Sequence, residues 1–194
     1  TNKKKLGIVV IVALQDEFLA LFGHERLVRD GAIPDRLGHW YRWSLEGAGE
    51  AHVTFIGSMG PVDATDFTTR FLEHYQPNTL VNIGVSGGFS DDVVLGDVVV
   101  ADLTDLYGNA GSIEDVDGVP TLRTTGKPIQ TEDFKALVDH FPVENREQYE
   151  EWQRSCSKHA TSLVGTALTL IPDELRREAC AVHCGPVACA SEIV

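Results

Sequence analysis

Three short stretches carry side chains or backbone able to do chemistry. In ALQDEF, residues 13–18, Asp16 and Glu17 follow directly on a hydrophobic run. A carboxylate at the mouth of a crevice can take a proton from water. Acidic residues in a first helical turn also face the positive end of the helix dipole, and on residue types alone that capping reading leads. GSMGPVDA, residues 57–64, sets flexible backbone and free N–H groups ahead of a helix start. Such a turn can hold an anion or a sugar hydroxyl, but without GxxxxGK(S/T) it is no triphosphate loop. In NIGVSGGFSDD, Gly84, Gly87 and Gly88 let a ligand approach the backbone after a buried strand. Their spacing is not GxGxxG, so a dinucleotide fold gains little from them.

Other candidates weigh less. His183 stands between Cys180 and Cys184 as a metal set would, yet strand alternation sends His183 and Cys184 to opposite faces. A core strand with small soft residues is the simpler account. His39, Trp40, Tyr41 and Trp43 could stack on bases, but aromatics in a hairpin strand usually form core or sheet cover. The charge run from Glu144 to Arg154 reads as a solvated helix face.

The elements that must position these stretches follow from periodicity. Ile8 to Val12 is a continuous β-branched run, as in a strand buried on both faces, and QDEFLALFGHERL after it has helical spacing at Phe18, Leu21 and Phe22. HWYRWSLEG and AHVTFIG flank the turn residues GAGE as a hairpin. Pro61 opens a helix whose apolar face is Val62, Ala64, Phe67, Phe71 and Leu72. TLVNIG and LGDVVVADL are further strands, with a short one at Val119 to Leu122. Helices are predicted at Glu132 to Phe141 and Glu144 to His159, a helix start at Ile171 to Glu174, and a last strand in AVHCGPVACA. Mixed strands alternating with helices, and no dividing linker, predict one α/β three-layer sandwich with a central mixed sheet over residues 1–194. In such sheets ligands settle at the carboxyl ends of strands, where the three stretches fall.

Composition narrows the partners. A net charge of -13 repels phosphate backbones and anionic lipid, so neither nucleic acid nor a membrane is expected as a partner. The longest apolar run, Leu6 to Leu14, is far short of the roughly 20 residues that cross a bilayer. The 4 cysteines lie in the last quarter without a CxxC pair, which points to a reducing, cytoplasmic setting rather than a disulfide scaffold. Met59 is the sole methionine and ASEIV stops inside an apolar segment, so a piece of a longer polypeptide, incomplete at its C-terminal end, is expected.

Taken in order, GIVVIVALQDEF, VTFIGSMGPVDAT, YQPNTLVNIGVSGGFSDDVVLGDVVVAD and VHCGPVACASEIV resemble the nucleoside phosphorylase superfamily, in its methylthioadenosine/S-adenosylhomocysteine nucleosidase branch. The resemblance implies a nucleoside phosphorylase-like fold and an N-glycosidic hydrolase that releases adenine from a purine nucleoside or nucleotide, without a cofactor or metal. It places Glu17 where the nucleosidases keep the carboxylate that activates water, which reverses the order of the two readings of that residue. Leu14 falls where an apolar residue contacts the ligand, and Gly60 at the turn beside the ribosyl site. Val85, Ser86 and Gly87 match the ribose- and base-side loop, while Ile193 and Val194 match residues that cover the purine.

Phosphorolytic relatives carry a GDP-type turn and a phosphate-binding arginine near the first loop; their absence implies water as the nucleophile. Two positions depart from the branch. Val85 is often a hydroxyl residue there, and CAS at residues 189–191 replaces a serine-glycine pair. The segment that binds the ribose hydroxyls and the aspartate that protonates the purine should lie beyond Val194. The resemblance further implies a homo-oligomer or a fusion to other domains, as in a defence or signalling protein. The alternatives are a phosphorolytic enzyme and an inactive domain that senses a nucleoside or serves as a scaffold.

Overall fold

The computed structural model describes residues 3–45, 47, 49–87, 92–94, 96–106, 112–116, 119–123, 129–130, 132–163 and 180–189. Two compact units divide the chain, Thr1–Ser86 and Gly87–Val194.

The first unit is built on strand β1, Lys4–Val12. Its β-branched run lies at the inside of a five-stranded sheet, with β4 (Gly49–Phe55) and β5 (Tyr75–Ile83) parallel to it on either side. Beyond β4 come β3 (Tyr41–Leu45) and β2 (Val28–Arg29), both joined antiparallel, giving the order β2-β3-β4-β1-β5. The sheet is therefore mixed. The GAGE hairpin is β3–β4, as predicted, whereas the two-residue β2 has too little sequence of its own to be legible.

Alternation along β1 sends its side chains to two different cores. Val10 and Val12 pack with Ala51, Val53, Phe18 and Phe22, the last two from helix α1 (Gln15–Phe22). Val9 and Ile11 face the other way, with Ile33, Trp40 and Phe71, the last from helix α2 (Pro61–His74). One helix on each face of a mixed sheet makes the three-layer arrangement. Trp40 is fully buried, stacked on Phe71 at 4.6 Å and donating its indole N–H to the Leu37 carbonyl at 2.7 Å, so the hairpin aromatics do serve the core.

In the second unit β6 (Val98–Leu106) pairs parallel with β10 (Val182–Cys189) and antiparallel with β9 (Ile129–Gln130). Strands β7 (Ser112–Val116) and β8 (Val119–Arg123) form a separate hairpin. Helices α3 (Glu132–Glu144) and α4 (Arg146–Leu163) follow. The charged residues Glu147, Glu150, Glu151 and Arg154 of α4 are exposed, as a solvated face requires.

Asp97, whose side chain has no exposed surface, fastens the start of this sheet. Its carboxylate accepts the Val94 and Ala181 N–H groups at 3.1 and 2.8 Å and contacts His183 Nε2 at 2.9 Å. The predicted helix start at Ile171 to Glu174 lies outside the described residues.

Candidate functional site

Parallel pairing brings three strand ends to one edge of the first unit. Val12 is in register with Phe55 of β4 and Ile83 of β5. The bonding continues past the strands: Ile56 N–H donates to the Val12 carbonyl and Gly57 N–H to Ala13, each at 2.9 Å. The turns after β1, β4 and β5 are therefore neighbours, and they are the three stretches that residue chemistry singled out.

Glu17 lies in the first turn of α1, half-buried. Leu14 N–H donates to Glu17 Oε2 at 3.0 Å, so the carboxylate does cap its own helix. Leu14 itself, extended at φ -110°, contributes its carbonyl to Phe18 N–H at 3.0 Å. The second oxygen reaches out of the helix: Val85 N–H, at the end of β5, donates to Glu17 Oε1 at 3.0 Å. Capping and presentation at the strand ends are thus the same geometry. Two backbone donors fix the carboxylate, and of its roughly four acceptor directions about two stay open to a water or a hydroxyl. Asp16 is exposed and makes the simpler dipole contribution.

Gly84 explains how Glu17 comes so close to β5. A Cβ at Gly84 would stand 3.3 Å from Glu17 Oε1 and 3.8 Å from Cδ, so the glycine makes room for the carboxylate itself. The sequence marks Gly84 as a place where a ligand nears the backbone. Its partner is a side chain from another strand end, a pairing that spacing along the chain does not reveal.

Gly60 is the residue before α2 and has φ +111°, a conformation that L side chains rarely adopt, with Pro61 as the first helical residue. Having no side chain, Gly60 cannot cap the helix, which leaves first-turn N–H groups to other acceptors. Val85 is 85% exposed, and Met59 and Val62 are also exposed, which gives these turns an apolar surface. Ser86 ends the first unit and Gly87 opens the second. A Cβ at Gly87 would meet nothing within 4 Å, and its φ is not positive, so turn geometry alone does not demand the glycine. Ile193, Val194 and Gly88 lie outside the described residues.

Among the described residues no group of three or more His, Cys, Asp or Glu side chains could hold a metal. His183 is engaged by Asp97 instead. Among the described residues no helix is long and apolar enough to cross a membrane.

The sequence profile of the phosphorylase superfamily matches residues 7–194. A 5'-methylthioadenosine/S-adenosylhomocysteine nucleosidase of Shewanella piezotolerans is 37% identical over 54 residues, 28% of this chain and 24% of that protein. The chain thus spans about a quarter of the length of that curated relative. Two solved structures share the fold. The same kind of nucleosidase from Neisseria meningitidis, in complex with methylthio-immucillin-A, superposes with a TM-score of 0.51 at 18% identity, covering 97% of this chain and 66% of that one. Native futalosine hydrolase of Helicobacter pylori gives a TM-score of 0.55 at 16% identity, covering 97% and 65%. With strand order, helices on both faces and a profile match across nearly its whole length, this α/β chain belongs to the phosphorylase superfamily.

Proposed function

We propose that the protein hydrolyses the N-glycosidic bond of a purine nucleoside or nucleotide and releases adenine. The observation that carries this reading is the Glu17 carboxylate, held by two backbone N–H groups at the carboxyl ends of parallel strands. Breaking an N-glycosidic bond develops positive charge on the sugar, so a carboxylate that positions and deprotonates water stabilises the transition state while an acid neutralises the leaving base. Glu17 takes the proton from water, and the oxygen of that water bonds to the sugar carbon that the base leaves.

By the same resemblance, Leu14, Gly60, Val85, Ser86, Gly87, Ile193 and Val194 contact the ligand. The reading also places the protein in the cytoplasm, on its cysteine usage, and takes it, on the resemblance, as a homo-oligomer or fused to further domains.

The test is product identity. The protein is incubated with 5'-methylthioadenosine, adenosine and adenosine monophosphate, with and without phosphate. Adenine and a free sugar, formed equally in both buffers, is the expected result. A sugar 1-phosphate that appears only with phosphate would make the enzyme phosphorolytic. A second reading, a nucleoside-sensing domain without turnover, draws on the capping bond of Glu17, which a purely structural residue would also make. Calorimetric binding without any adenine release would establish it.

A further inference from the structure

In the second unit the helices leave part of the sheet open. The period of two along β6 sends Val98 and Val100 to one face, and Val182 of β10, in register with Val98, joins them. Helices α3 and α4 wall a groove over these valines, with Leu137 and Phe141 from α3 and Tyr149 and Trp152 from α4. Phe141 meets Tyr149 edge-on at 6.4 Å, and Tyr149 meets Trp152 at 5.6 Å, so aromatic rings run along the wall. Two adjoining cavities of about 210 and 370 Å³, which share Phe141, Tyr149 and Val182, make up the groove. It faces solvent: Leu137 is 66% exposed and Phe141 and Val98 44% each. The one amide side chain in its lining is that of Gln148. A small ligand would find too few polar groups there to fix its orientation, whereas apolar side chains projecting from a helix need no more than such a surface.

Charge selects the occupant. From Gly87 on, 19 acidic residues stand against 8 basic ones, a balance of -11 out of the chain's -13. Two cations of these helices are already engaged, Lys135 by Asp102 at 3.8 Å and Arg146 by Glu150 at 2.8 Å. Glu144 and Glu151 are exposed, four residues before Gln148 and three after it. Helical hydrogen bonds run on through Asn145, from Phe141 to Tyr149, so both carboxylates flank Gln148 along the edge of the groove. Two copies meeting at this face would set like charge against like, and an anionic membrane would be repelled in the same way. We propose that the groove docks a basic amphipathic helix of another protein. Its apolar stripe enters between α3 and α4, and its lysines or arginines meet Glu144 and Glu151. The 13 residues of α3 span about 20 Å, enough for anchors at i, i+3 or i+4, and i+7 of the partner. This inference concerns the second unit and does not rest on the proposed hydrolysis.

The probe is a peptide of about 14 residues built from leucine and lysine, with leucine at i, i+3, i+4 and i+7, and its binding to the intact polypeptide is measured by calorimetry. Binding that weakens as salt rises is expected. A peptide of the same composition in scrambled order should bind at least about tenfold more weakly, and one with glutamate in place of lysine should not bind. Leu137→Asp and Phe141→Ser should each weaken the amphipathic peptide by about tenfold or more. Glu151→Lys should weaken it about threefold or more, whereas Glu73→Lys, the same charge change on an exposed residue of α2, should leave it unaltered. A melting curve for each variant shows that it is folded, and Leu137, being exposed, can be replaced even if Phe141→Ser unfolds the unit. No binding, equal binding of the scrambled peptide, unweakened binding by Leu137→Asp, or an equal loss in Glu73→Lys would each overturn the proposal. Self-association or binding to phosphatidylserine vesicles that Leu137→Asp abolishes would also overturn it, by giving the face to a second copy or to a membrane.

Discussion

Glu17→Gln removes the carboxylate's charge while keeping its length and shape. The native group accepts N–H from Leu14 on one oxygen and from Val85 on the other, each at 3.0 Å. An amide has a single oxygen, so its NH2 must face one of those donors. The Leu14 bond is part-buried and the Val85 bond exposed, so the amide oxygen stays with Leu14 while water takes over at Val85. Losing one such bond costs about 0.5–1.5 kcal/mol. In a chain of this size that lowers the melting temperature by about 1–6 °C. A domain with an ordinary reserve of about 5–15 kcal/mol therefore stays folded. Loss of a positioned general base slows the reaction by about 100- to 10,000-fold, far more than the folded fraction changes. Adenine release at 25 °C and a melting curve, measured on the same preparation, separate the two effects. Turnover within about threefold of wild type would refute Glu17 as the base. A fall of more than about 10 °C with activity lost in proportion would make the residue a cap whose removal unfolds the site.

Gly84→Ala puts a methyl group 3.3 Å from Glu17 Oε1, so the carboxylate must shift by a few tenths of an ångström. Turnover should fall by about threefold to tenfold with melting within a few degrees of wild type, and unchanged turnover would show that the position of Glu17 is not critical. Gly87→Val meets open space, so its melting temperature should stay within about 2 °C of wild type. Calorimetric affinity for an adenosine analogue should nonetheless weaken, and an unchanged affinity would remove Gly87 from the site. Tyr75 has its pKa raised above 10.0, by burial first and then by Asp30, with Arg36 opposing. A raised folded pKa means stability that is intact below the unfolded value and lost as pH rises through the folded one. Tyr75→Phe should flatten the decline in melting temperature above pH of about 10, and equal slopes for the two proteins would refute that linkage.

The strand-and-turn order of the first unit was legible because each signal is local. A β-branched run, GAGE between alternating segments and Gly60-Pro61 before an apolar helical face each act over a few residues. What stayed hidden depends on which strands adjoin. That β4 and β5 flank β1 in parallel is set by packing on both faces, and only this order puts Glu17 beside Val85, 68 residues on. Capping and catalytic readings of Glu17 seemed to compete because the sequence shows one oxygen's use at a time. The same limit hid Asp97, which in the sequence is one acidic residue among 29 and in the fold is a buried acceptor.

Asp97 bears on the order of events in folding. Its carboxylate is buried, and two of its partners, Ala181 and His183, arrive 84 and 86 residues later in the chain. Desolvating a carboxylate before its donors are in place is costly, so the β6 end of the sheet cannot close early and wait. It must form together with β10, which adds a long-range closure to the transition state and slows it relative to a local hairpin such as β7–β8. On a growing chain, β6 then stays open until the residues of β10 have been made.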